Sequence, residues 1–117
     1  MSATTPEGKV KAKIDAILKP YKASGRLWYF KPSASQYGRA GVPDYVCNLR
    51  DKFAAPGVIS TFGTASYFFT IEAKAGAGKP SDLQLAQMVS IEKSGGAALV
   101  VNEKNLGVLE EWLRAHS

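Results

Sequence analysis

Apolar residues recur at helical spacing from Val10 through Ile14, Ile17 and Leu18 to Tyr21, while Lys9, Lys11, Lys13, Asp15 and Lys19 fall off that stripe. The spacing predicts an amphipathic helix opening near Glu7, just after Pro6, a favoured first-turn residue, and ended by Pro20 and Ser24-Gly25. Strand character follows in three runs: the aromatic-rich 26–32, then 44–49, then 66–74. In the third, Tyr67, Phe69, Ile71 and Ala73 point to one side and Phe68, Thr70, Glu72 and Lys74 to the other. Ser81-Asp82-Leu83-Gln84 is a capping box, Ser-x-x-Gln, opening a helix that runs to about Lys93 and stops at Gly95-Gly96. Gln84, Met88 and Ile91 share one face of it, so Gln84 looks inward from the first turn. Ala97 to Val101 is a fourth, fully apolar strand, and Leu106 to Leu113 a closing amphipathic helix. The order α-β-β-β-α-β-α predicts one α/β domain over residues 1–117, a small mixed β-sheet flanked by helices. By composition 33–41 is a loop, and 51–65, with Pro56, Gly57 and Gly63, is a hairpin connection or insertion with room for a short strand at Val58-Ile59.

Composition narrows the chemistry. A chain of 117 residues supports one core and not two. The net charge of +5 is uneven: residues 1–52 carry ten Lys/Arg against four Asp/Glu, a balance of +6, and residues 53–117 carry five against six, a balance of −1. Such asymmetry suits a polyanion-facing surface. Cys47 is the sole cysteine, within an apolar strand, and reads as a small buried hydrophobe. The one histidine, His116, sits beside the C-terminus, where chains fray, which removes Ser-His-Asp and histidine–metal chemistry. Met1 to Gly8 is polar and no apolar run approaches membrane-spanning length, so the chain is expected inside the cell, with no membrane partner. Gly78-Lys79 fails as a phosphate-binding P-loop: Pro80 replaces the required Ser or Thr, and Ala73 the first Gly, so no nucleotide triphosphate is expected.

The informative stretch is Phe68-Phe69-Thr70-Ile71-Glu72-Ala73-Lys74. A buried strand that ends in a carboxylate and an ammonium on one face is costly unless a metal, a partner or a substrate compensates them. Gly41-Val42-Pro43-Asp44 supplies a second carboxylate at the start of another strand. Hard carboxylate oxygens suit Mg²⁺ or Mn²⁺, and phosphodiester hydrolysis needs a nucleophilic water and charge neutralisation at phosphorus. On that chemistry Asp44 and Glu72 are metal ligands, with the Ala73 carbonyl a third. Lys74 orients or deprotonates the water, and Gln84 positions Lys74 or the phosphate. The competing account is a plain Glu72–Lys74 ion pair on an exposed strand end. Glu7 also has two readings: a first-turn carboxylate favoured by the helix dipole, or an outer or second-metal ligand. Lys9, Lys13, Arg39, Lys79 and Ser81, with Lys11, Lys22 and Arg26, are candidates for nucleic-acid backbone contacts.

In these pieces (Glu7, Gly41-Val42-Pro43-Asp44, Ile71-Glu72-Ala73-Lys74 and Gly78-Lys79-Pro80-Ser81-Asp82-Leu83-Gln84) the sequence resembles the PD-(D/E)xK nuclease superfamily. More narrowly it resembles the small stand-alone VRR-NUC proteins of phages and bacteria. The pieces come in the family's order, between Glu7 and Val101, although the Asp44-to-Glu72 gap is longer than usual there. The resemblance implies a restriction-endonuclease-like core and a Mg²⁺- or Mn²⁺-dependent, structure-selective endodeoxyribonuclease. It further implies Holliday junctions or related branched DNA as substrate, a homodimer that makes paired cuts, and the cytoplasm, that of the host if phage-encoded. The alternative is a nucleic-acid-binding module that keeps the fold without cutting.

Overall fold

The computed structural model describes residues 5–33, 41–54 and 65–117. Its elements follow the expected order: α1 (Pro6–Ala23), β1 (Leu27–Phe30), β2 (Tyr45–Arg50), β3 (Ser66–Ala73), α2 (Asp82–Lys93), β4 (Ala97–Val101) and α3 (Leu106–His116). Arg39, Tyr37 and the expected short strand at Val58-Ile59 lie outside the described residues.

Local chemistry sets the boundaries. Thr5 caps α1 by accepting the Gly8 N–H at 2.9 Å, and Pro6 opens the helix where a missing N–H costs nothing. Pro20, expected to help end the helix, lies inside it. A proline there forfeits the bond to the residue-16 carbonyl, but Ala16 and Pro20 are both exposed, so water can serve that carbonyl. The turn comes at Ser24 and Gly25, the latter at φ 79°.

The four strands lie in the order β1-β2-β3-β4. β1 pairs antiparallel with β2 and β2 with β3, whereas β3 pairs parallel with β4. The parallel step requires a crossover, and α2 supplies it. Pairing of β2 with β3 continues to a bond from the Asp51 N–H to the Ala65 carbonyl at 3.1 Å.

Alternation along the strands sorts the two faces. Tyr45, Cys47 and Leu49 of β2 and Phe69, Ile71 and Ala73 of β3 are buried with Val10, Ile14 and Leu18 of α1 and Leu109 and Leu113 of α3. That is the main core, and it packs α1 and α3 against one side of the sheet. On the other side α2 lies over β3 and β4; a Cβ on Gly96 would come within 3.0 Å of both the Phe68 ring and Ile91. Cys47 is buried, and burial pushes its thiol up to about 12, as suits a small hydrophobe. His116 does not fray: α3 runs to it, and its ring stacks on Trp112 at 4.3 Å and meets Tyr67 edge-on at 4.8 Å. Among the described residues no helix is long and apolar enough to cross a membrane.

Candidate metal-dependent active site

One step beyond the Tyr45↔Ile71 pair, the antiparallel register sets Asp44 opposite Glu72. The two acids, distant in sequence, therefore meet where β2 begins and β3 ends. Asp44 Oδ2 accepts the N–H of Ala73 at 2.8 Å, a contact between residues 29 apart in the chain. Gly41 anchors the approach to Asp44. It sits at φ 84°, and a Cβ there would lie 2.8 Å from the Leu83 carbonyl, so only glycine lets this backbone touch the first turn of α2.

Glu72 is only 3% exposed. Its Oε2 accepts the side-chain N–H of Gln84 at 2.6 Å, whereas its Oε1 is buried with no hydrogen-bond partner. Burial above all, then the neighbouring Asp44 charge, pushes its carboxyl up to about 7, against an opposing pull from Lys74. Lys74 lies two residues on, half-buried, its backbone N–H donating to the Val101 carbonyl at 2.9 Å. No Lys74–Glu72 ion pair forms, so the account of these two as a surface pair on an exposed strand end does not describe them.

Gln84 turns to Glu72 rather than to Lys74. Its amide oxygen accepts the Ser81 N–H at 2.8 Å while Ser81 Oγ accepts the Gln84 N–H at 3.2 Å, completing the capping box. The oxygen being committed to the cap, the amide's donors are left for a carboxylate, and the buried acceptor within reach is Glu72. Gln84 thus ties the start of α2 to the end of β3 and holds Glu72, not Lys74.

Lys11 enters the site although its place off the apolar stripe suggested only a backbone contact. Its Nζ lies 3.4 Å from Asp44 Oδ1 and 3.5 Å from Glu7 Oε2. Burial works against its charge, but Asp44 and Glu7 outweigh that and hold the ammonium above the usual lysine range. The i,i+4 spacing of Glu7 and Lys11 was the available signal; the pairing with Asp44 depends on tertiary structure. Glu7 does not complete a three-acid set. Among the described residues no three His, Cys, Asp or Glu side chains gather to hold a metal ion.

Tyr45, next to Asp44, fastens this end of the sheet to α1. Its buried hydroxyl donates to Asp15 Oδ1 at 2.8 Å and lies 3.1 Å from the Lys11 carbonyl, while Lys31 pairs with Asp15 at 2.8 Å. Burial and the Asp15 bond raise the phenol well above its ordinary value. Lys9 and Lys13 are exposed and line a groove of about 360 Å³ with Val10, Ala75, Gly76 and Glu103, beside the turn that follows Lys74. Lys79 and Ser81 are exposed at the same end of the sheet, before α2.

Two carboxylates with one unpartnered oxygen fit a hard divalent ion. Mg²⁺ and Mn²⁺ keep several waters and commonly take only one or two protein carboxylates. The unsatisfied Glu72 Oε1 is the atom such an ion would relieve. No family model, no curated protein and no solved structure matches this chain.

Proposed function

We propose that the protein is a Mg²⁺- or Mn²⁺-dependent endonuclease acting on DNA, with Holliday junctions or related branched DNA as the substrate class. The observation that carries the reading is the meeting of Asp44 with Glu72, whose buried Oε1 lacks any partner. An unpaired buried carboxylate oxygen destabilises the fold, and a cation bound there would offset that cost.

In this reading Asp44 and Glu72 hold the ion, with the Ala73 carbonyl as a third ligand. The bound ion supplies Lewis acidity and a nucleophilic water at neutral pH. Gln84 fixes the Glu72 carboxylate through its 2.6 Å bond. The Ala73 N–H fixes Asp44 in the same way at 2.8 Å. Lys74, on the same face of β3 as Glu72, orients or deprotonates the attacking water and steadies the charge growing on the phosphate. Lys9 and Lys13 on the groove, with Lys79 and Ser81, contact the DNA backbone and carry no sequence preference. Arg39 belongs to the same proposal but lies outside the described residues.

Paired cuts in a junction call for two active sites, hence a homodimer. Support comes from the open part of the sheet's second face. Trp28 (61% exposed) and Phe68 (44%) stand in one row across the strands with Asn48 between them. An uncharged aromatic row suits a second copy of itself better than a polyanion.

The test is incubation of the purified protein with labelled junction, duplex and single-stranded DNA, each with Mn²⁺, Mg²⁺ or EDTA. The reading expects metal-dependent nicking that is lost in Asp44→Asn and Lys74→Ala while binding survives. Cutting that persists in EDTA removes the mechanism. Binding without cutting under any metal favours the non-cleaving module instead.

A further inference from the structure

One oxygen of the acidic pair already has a cation beside it. Lys11 Nζ sits 3.4 Å from Asp44 Oδ1, and Asp44's other oxygen is taken by the Ala73 N–H. Glu72 Oε1, by contrast, has no partner at all. The site is therefore unevenly compensated: Asp44 has an ammonium from α1 within ion-pair range, whereas Glu72 has only the Gln84 amide on one oxygen and the more distant Lys74 charge. A divalent ion held by these acids would stand within a few ångströms of the Lys11 charge. Two cations cannot share one carboxylate oxygen at that range without strong repulsion. Lys11 has somewhere to go, because Glu7 lies one helical turn back on the same face and already holds Nζ at 3.5 Å.

We infer that Lys11 is a place-holding cation, neutralising Asp44 until a divalent ion displaces it onto Glu7. This rests on the metal-site reading above and adds to it a role for two residues. Lys11 keeps the acid pair from repelling itself while the site awaits its ion. Glu7 serves as the resting partner of the displaced lysine and not as a metal ligand. From there the ammonium remains at the mouth of the site, within reach of a bound phosphate. A fixed strut would behave differently: Lys11 would stay on Asp44 as the ion bound, and Glu7 would play no part in the binding.

Manganese binding separates these cases without reference to activity. Free Mn²⁺ is titrated by electron paramagnetic resonance against the intact protein, Lys11→Met, Lys11→Arg and Glu7→Gln, with far-UV circular dichroism as the check on folding. Lys11→Met keeps the aliphatic stem and removes the competing charge, so it is expected to bind Mn²⁺ about two- to fivefold tighter, the range that partly exposed ion pairs span. Lys11→Arg restores the competitor and returns the affinity to that of the unmodified protein. Glu7→Gln takes away the resting partner and is expected to bind Mn²⁺ more weakly than the unmodified protein, whereas the same substitution added to Lys11→Met is expected to change nothing. Unchanged or weaker binding by Lys11→Met, alongside clear binding by the unmodified protein, overturns the inference and leaves the metal site standing. An unchanged affinity in Glu7→Gln leaves Lys11 a fixed strut and overturns the inference even if Lys11→Met fails to fold, and a fall on adding Glu7→Gln to Lys11→Met makes Glu7 a ligand and overturns it as well. Absence of Mn²⁺ binding by the unmodified protein removes both the inference and the site.

Discussion

Replacing Glu72 by Gln is expected to abolish cutting while making the metal-free protein more stable, and to do so only above mildly acidic pH. The carboxyl is 3% exposed, one of its oxygens has no partner, and its ionisation is pushed from 4.5 up to about 7. A carboxyl raised in this way is protonated in the folded state over a range where the unfolded chain has already lost the proton. Stability therefore falls as pH rises from about 4.5 to about 7 and stays reduced above that. The full difference corresponds to roughly 3 kcal/mol; solvent screening on the Asp44 side brings it to about 2 kcal/mol. Glutamine removes the charge and keeps the shape, and its carbonyl can still accept the Gln84 N–H. Urea unfolding at pH 8 is then expected to show the variant about 2 kcal/mol more stable, with the slope unchanged, and at pH 5 a gain well under half of that. A saturating divalent ion should reverse the ranking at pH 8, because it stabilises only the protein that binds it. A gain that is the same at both pH values, or a loss of stability at pH 8, would refute the assignment of an uncompensated charge to Glu72.

Three further perturbations follow from the contacts around it. Gly41→Ala forces an L-residue to φ 84° and a methyl to within 2.8 Å of the Leu83 carbonyl, so it should cost roughly 1–3 kcal/mol in urea unfolding and weaken Mn²⁺ binding by shifting Asp44. Tyr45→Phe removes the phenol bond to Asp15 and should cost about 1 kcal/mol, with the Lys31–Asp15 pair retained in a crystal structure of the variant. Trp28→Glu places a charge in the exposed aromatic row; light scattering after gel filtration is expected to report a dimer for the unmodified protein and a monomer for the variant, and an unchanged mass would move the interface elsewhere.

Local signals were legible where they were complete in themselves. The capping box predicts the start of α2, and the uninterrupted apolar run predicts β4 at its observed bounds of Ala97–Val101. Strand alternation likewise put Glu72 and Lys74 on the face opposite the main core. The helix through Pro20 was not legible, because whether a lost hydrogen bond matters depends on the solvent exposure of Ala16. Partner choice was the other gap. Gln84 turning to Glu72, Lys11 turning to Asp44 and Tyr45 reaching Asp15 each join residues brought together only by packing α1 and α2 on opposite sides of the sheet. His116 was misjudged for the same reason, since Trp112 and Tyr67 hold a terminus that its position alone leaves loose.

The most direct test of the account is a crystal of the protein grown with Mn²⁺ and measured for anomalous scattering. The account predicts a peak in contact with Asp44 and with Glu72 Oε1, the buried atom that has no hydrogen-bond partner. A lattice containing millimolar Mn²⁺ with Asp44 and Glu72 unliganded and Lys11 still seated against Asp44 would contradict it.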